Sequence, residues 1–150
     1  MITTLNIREA QKGEYDDVWA IVRFYNGKSS WIKQVSDLAP SKSLCLKYNR
    51  LKDDGKWDKS AFENIYLPEF LKEMCCEQAR KKLNELFKAD KAGKNIALLC
   101  FCQDESLCHR SIIAGILQGV GCNVHTKLDK DYSKYYQDYM RIKRSASHGE

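Results

Sequence analysis

Asn95-Ile-Ala-Leu-Leu-Cys-Phe-Cys-Gln-Asp-Glu-Ser-Leu-Cys-His-Arg-Ser-Ile-Ile-Ala114 is the stretch on which the fold turns. Asn95 to Cys102 is a short, continuous apolar run with a turn signal before it and a polar loop after it. That pattern predicts a strand covered on both faces, in the centre of a parallel sheet. Gln103 to Leu107 reads as the loop. Ile112, Ile113, Ile116, Leu117 and Val120 then mark one face of a helix that Gly121 ends. Val124 to Leu128 is expected to return to the sheet, which makes a strand-helix-strand crossover of right-handed type.

Working outward, Asp17 to Phe24 predicts a second buried strand and Ile2 to Ile7 a third. Ser41 is placed to cap a helix carrying Leu44, Cys45, Tyr48 and Leu51 on one side. Pro68 suits a first helical turn, and Leu67, Leu71, Met74, Leu83, Leu86 and Phe87 predict one long helix closing near Ala92-Gly93. Tyr132, Tyr135, Tyr136 and Tyr139 fall at i, i+3, i+4 and i+7 on a C-terminal helix and tail over 129–144. The stripe is expected to dock that helix onto the body, with a base-stacking surface as the alternative. Together these elements predict a single Rossmann-like α/β domain over 1–150, a mainly parallel sheet flanked by helices.

A chain of 150 residues buries enough surface to stand without disulfides or metals. Its seven cysteines are odd in number and follow no export signal, so reduced thiols and a cytoplasmic location are expected. No segment has the uninterrupted apolar length of a membrane span, which argues against a membrane partner. The net charge of +5 comes from 25 basic residues interspersed with 20 acidic ones. This balance suits a small anionic ligand and leaves nucleic acid as a second partner class. Nothing in the pattern sets an oligomeric state.

In open α/β folds ligands collect where strands end and the chain turns into a helix, which is where Cys102 to Arg110 falls. The helix start offers unpaired N–H groups, and Arg110 a forked donor for phosphate or carboxylate. Arg23 is expected near the end of its own strand, so that two arginines face one ligand. Cys102 and Cys108 are the candidate nucleophiles, and His109 is placed to tune them. The spacing does not match a Cys-x5-Arg phosphatase loop. No cofactor is predicted. Zinc on Cys100, Cys102, Cys108 and His109 is the alternative; we expect Cys100 and Cys102 to point to opposite faces of the strand, which argues against a standard site. A Cys102–Cys108 disulfide and plain packing of the thiols stay open as well.

Leu98-Leu-Cys-Phe-Cys102 followed by Cys108-His-Arg-Ser-Ile-Ile-Ala114 resembles the signature of the domain of unknown function 488 family. Val18 to Phe24, Leu38-Ala-Pro-Ser-Lys42, and Tyr66-Leu-Pro-Glu-Phe70 are similar to its other segments in type and order. The likeness covers about 17–124. It implies a Rossmann-like domain and, position by position, directs attention to Arg23, Ser41, Lys42, Cys102, Cys108, His109 and Arg110; Ser111 follows at the helix start. It supplies no activity. The leading expectation is a site that binds, or also acts on, a phosphate-bearing nucleotide or nucleoside-type ligand, with thiol- or histidine-assisted transfer or hydrolysis as the enzymatic form. The alternatives are a nucleic-acid-binding module using basic helices and the tyrosine stripe, and a protein-interaction or inhibitory factor.

Overall fold

Five short parallel strands make one sheet in the computed structural model, which describes residues 1–148. They are β1 (Ile2–Asn6), β2 (Asp17–Ala20), β3 (Lys33–Gln34), β4 (Ile96–Cys100) and β5 (Val124–His125), in spatial order β3-β2-β4-β1-β5. The apolar run sits in the middle, as its composition requires. β4 pairs with β1, Ile2 opposite Ile96 and Asn6 opposite Cys100, and with β2, Asp17 opposite Ile96 and Ala20 opposite Leu99. Every residue of β4 is buried.

Two expected strands are shorter than the sequence suggests. β2 leaves the ladder after the Ile21 N–H donates to the Leu99 carbonyl at 2.9 Å, and Arg23 and Phe24 already belong to the loop. The returning strand keeps only Val124 and His125, and it pairs with β1 instead of its neighbour in sequence, β4. The expected crossover therefore passes over one strand.

Alternation along the strands divides the sheet into two faces. Ile2, Trp19, Ile96 and Leu98 face the main core, which the helices complete. Val18, Ala97 and Leu99 face the other way, under Leu5, Ile7, Tyr15 and Trp31 from the connecting segments. Short side chains such as Ala97 let those loops lie close.

The helices are α1 (Lys42–Asp53), α2 (Lys59–Ala61), α3 (Leu67–Glu73), α4 (Glu77–Lys91), α5 (His109–Gly119) and α6 (Lys134–His148). Ser41 caps α1 as expected, its hydroxyl accepting the Leu44 N–H at 3.2 Å. A π turn, Phe62–Tyr66, joins α2 to α3, and the Leu67 N–H reaches back to the Phe62 carbonyl. This wider turn accommodates Pro68, which has no N–H for the regular ladder and crowds the preceding turn. It also stacks Phe62, Tyr66 and Phe70 in sequence, with centroids 5.8 and 6.0 Å apart.

The single long helix expected after Pro68 is two helices, broken at Cys75-Cys76. At 100° per residue, Leu67, Leu71 and Met74 share one direction, while Ala79, Leu83 and Leu86 share another roughly 120° away. Both sets are buried, which one straight helix cannot achieve. Cys76 becomes the cap of α4, its sulfur accepting the Ala79 N–H at 3.5 Å.

The C-terminal tyrosines dock. Tyr132, Tyr135 and Tyr139 are each 5% exposed and Tyr136 is half-buried, so three of the four offer no surface to stacked bases or to a partner. The Tyr139 hydroxyl donates to the Met74 carbonyl at 2.8 Å, which satisfies its polar end. No described helix is long and apolar enough to cross a membrane.

α6 comes close to α5 because Gly115 and Gly119 leave room. A Cβ on Gly115 would lie 2.1 Å from the Tyr132 carbonyl oxygen, and one on Gly119 would lie 2.2 Å from Tyr136 Cβ. Gly115→Ala therefore forces the two backbones apart and is expected to destabilise the fold by about 1–3 kcal/mol, the usual range for overpacking. Urea unfolding measures the shift; an unchanged midpoint contradicts the packing described here.

Candidate functional site

From β2 the chain moves outward to β3 on one edge of the sheet, whereas from β4 it moves through α5 to β5 on the other edge. The carboxyl ends of two adjacent strands thus diverge, and such a divergence opens a crevice that ligands occupy in α/β folds. Ile21, Val22 and Arg23 come from the β2 side, and Cys100, Phe101 and Cys102 from the β4 side. Cys108 closes the loop as the residue before α5.

Three sulfurs meet there. Cys100 Sγ and Cys108 Sγ are 3.1 Å apart, and the Sγ atoms of Cys100, Cys102 and Cys108 all lie within 4.8 Å of one another. The expectation that Cys100 and Cys102 diverge is overturned, for residues i and i+2 of an extended chain share a face. Cys100 and Cys108 are buried and Cys102 is half-buried, so only Cys102 reaches toward solvent. The trio is a donor set that can hold a metal ion.

Arg110 lies beneath the sulfurs and is wholly buried. Its Nη1 is 3.4 Å from Cys100 Sγ, while Nε and Nη2 have no hydrogen-bond partner among the described residues. A permanent cation in that position needs an anion, and the cluster supplies it. Hydrogen bonds from Cys102 and Cys108, together with the Arg110 charge, pull the Cys100 thiol down, against the opposing effect of burial. Cys102 is pushed up to about 12 by its hydrogen bond to Cys100, and Cys108 is pushed up first by burial and then by the same bonds. The three thiols titrate as one coupled unit in which Cys100 is the most acidic member.

His109 is buried, and burial lowers its pKa, so the ring is neutral. Its Nε2 lies 2.6 Å from the Ile21 carbonyl, which can only accept, so Nε2 carries the proton. Nδ1 then presents its lone pair to Cys108 Sγ at 3.6 Å. The ring also packs edge-on against Phe70 at 5.5 Å. His109 is therefore held in one orientation beside Cys108 and brings no positive charge to the cluster.

The other expected residues are divided. Arg23 is near, but its Nε and Nη2 donate to the carbonyls of Pro40 and Ser36 at 3.1 and 3.2 Å. With Arg110 sealed below the sulfurs, the expected grip of two arginines on one ligand is not formed. Ser41 is hydrogen-bonded through N and Oγ to Glu73, at 2.8 and 2.5 Å. Lys42 is exposed in the first turn of α1. Ser111 is buried and turns its hydroxyl back to the Cys108 carbonyl at 2.8 Å, away from any ligand.

Sequence reasoning missed three residues. Glu105, 2% exposed, accepts the Lys127 N–H at 2.9 Å and the Tyr132 hydroxyl at 2.8 Å, tying the loop before Cys108 to the start of α6. Glu73 holds Ser41. Tyr66 is buried near the thiols, and its pKa is raised well above the usual value by burial and then by Cys108 and Cys102. Only Tyr66 had a signal, the i, i+4 spacing with Phe62 and Phe70.

Residues 4–121 match the family model DUF488-N3a, described as the active DUF488-N3 subclade. The chain belongs to this DUF488 family. The match begins inside β1, earlier than the resemblance read from the sequence, and ends before β5, so α6 lies beyond it. No curated protein sequence and no solved structure matches the chain. Within the family span lie all three sulfurs, His109 and Arg110.

Because His109 has a lowered pKa in the folded state and an ordinary one, about 6.5, when unfolded, the unfolded chain binds the extra proton first. Stability is therefore expected to fall as pH drops through about 6.5, with a limiting slope of roughly 1.4 kcal/mol per pH unit for this one group. His109→Gln keeps a donor for the Ile21 carbonyl and should flatten that part of the profile. Denaturant unfolding between neutral and mildly acidic pH decides it; an equally steep profile in the variant removes His109 as the cause.

Proposed function

We propose that the crevice between the ends of β2 and β4 binds a phosphate-bearing nucleotide or nucleoside-type ligand and acts on it at the three-sulfur cluster. The observation that carries this reading is the thiolate cluster with Arg110 buried beneath it, set at the switch point with Cys102 as its one outward member. Burying a charged guanidinium with two unpartnered nitrogens costs stability, which argues for a chemical role over a packing one. Cys102 is then the sulfur that meets the ligand, and Cys108 with His109 moves its proton.

Ligand class follows from the rim. Phe24 and Phe101, 64% and 53% exposed, follow the two strand ends and offer apolar surface to a planar base. Lys42 and Arg23 lie on the Ser41 side and favour a phosphate. Seven free cysteines suit a reducing compartment, and we place the protein in the cytoplasm on that ground. Burial of Tyr132, Tyr135 and Tyr139 removes most of the aromatic surface on which the nucleic-acid and partner-docking readings drew.

Calorimetric titration with nucleoside monophosphates and diphosphates, and with inorganic phosphate as a control, tests the reading. A nucleoside phosphate is expected to bind and to slow alkylation of Cys102 by iodoacetamide. Lys42→Ala should weaken it about tenfold, the loss of one charge-assisted contact. Cys102→Ser should bind as wild type does while losing any turnover. Failure of every nucleoside phosphate to bind or protect Cys102 rejects the ligand class.

A further inference from the structure

We propose that Cys100, Cys102 and Cys108 bind one divalent, zinc-type ion through three thiolates, with Arg110 as its buried counter-charge and a fourth coordination position open to the crevice. The site stands on the geometry of the cluster; only the role of the open position in turnover rests on the ligand reading above.

Distances come first. With metal–sulfur bonds of about 2.3 Å and tetrahedral angles, sulfurs on one zinc are about 3.8 Å apart. The three Sγ atoms lie within 4.8 Å of one another, and Cys100 and Cys108 are 3.1 Å apart. Rotamer adjustments of less than about 1 Å bring the set to that spacing. The sequence offers no Cys-x2-4-Cys pair, so the site is assembled by the strand end and the helix start and carries no zinc-finger pattern.

Charge selects the ion. Thiolates are soft donors and exclude magnesium and calcium. Three thiolates carry three negative charges, and a divalent ion with Arg110 supplies three positive ones, so the buried assembly is neutral. A monovalent copper ion would leave one negative charge unbalanced in the same place. Ligation requires thiolates, so metal binding displaces thiol protons and affinity rises with pH.

Arg110 gives the independent sign of a ligand. It is completely buried, and its Nε and Nη2 have no partner among the described residues. Sulfurs that have all become thiolates can accept from them. Among the described residues no His, Asp or Glu donor joins the three sulfurs in the tight cluster. Three protein ligands with one vacant direction is the pattern of catalytic, not structural, zinc. That direction lies beside half-exposed Cys102.

The test uses the full chain, reduced, stripped of metal and titrated with cobalt(II) without oxygen. One equivalent is expected to give thiolate-to-cobalt charge transfer in the near ultraviolet and tetrahedral bands in the visible, and zinc should displace it. Cys102→Ser, at the half-exposed sulfur, should keep the circular dichroism of wild type, lose about a third of the charge transfer and bind zinc at least tenfold more weakly. Zinc should also protect Cys102, the half-buried member of the cluster, and not Cys45, Cys75 or Cys76, from alkylation mapped by mass spectrometry. The proposal is overturned by reduced protein that gives no charge transfer, by full charge transfer in Cys102→Ser, or by protection confined to Cys45, Cys75 and Cys76. Inorganic phosphate should perturb the visible cobalt bands; unchanged bands refute the open position. A protein that binds cobalt as described but no nucleoside phosphate keeps the metal site and rejects the ligand class, and the converse result does the reverse.

Discussion

The constraint on which the site depends is a permanent positive charge with no access to water. Arg110 is fully buried in the first turn of α5, at the end of the helix where the backbone dipole is itself positive. Both facts disfavour a cation, and an isolated buried ion costs several kcal/mol even after relaxation. Negative charge on the sulfurs is the nearby compensation, and Glu105 adds to it from the preceding loop. A hydrophobic side chain would fill the same volume without those demands. The arginine therefore organises charge on the sulfurs, and the remaining structure serves to hold it there.

That support runs through the whole fold. β4 is central and fully buried, which fixes Cys100 at the end of the most rigid strand. α5 is buried along nearly its whole length, so its start, with Cys108 before it, cannot shift independently of the sheet. Gly115 and Gly119 admit α6, and Tyr132 at the approach to α6 holds Glu105 in the loop that leads to Cys108. α6 lies outside the span shared with the family, yet it braces the loop that positions a shared cysteine. On the far side, Glu73 from α3 fixes Ser41, and Arg23 is bound to the neighbouring carbonyls. Two separate networks thus border one crevice.

How much of this the sequence disclosed depends on whether the property was local. The β4 run, the Ser41 cap and the α5 stripe are local patterns, and each leads to the right element. The break at Cys75-Cys76 was also written locally, in the phase difference between Met74 and Leu83, although no glycine or proline marks it. The shared face of Cys100 and Cys102 follows from strand geometry alone. Burial of Arg110 and Glu105 was not legible, because a charged residue in a loop or first turn looks the same whether it meets solvent or a sulfur. For Glu105 the difference is decided by Lys127, Leu128 and Tyr132, which approach from further along the chain. The tyrosine stripe shows the opposite case: its period announced a helix face, and its burial followed from the glycines opposite.

The arrangement also limits which chemistry the cluster can perform. With His109 neutral and its Nε2 proton committed to the Ile21 carbonyl, the ring can take a proton at Nδ1 but has none to give there. Cys108 is sealed, so that proton traffic stays internal. Cys102 is the sole sulfur in contact with the outside, and its own proton is held firmly by the negative charge beside it. A ligand arriving at the crevice therefore meets a sulfur whose reactivity is set from below, by how much positive charge shares the cluster with Arg110. Adding positive charge there favours the thiolate, and the hydrogen bonds from Cys102 and Cys108 to Cys100 act in the same sense as Arg110.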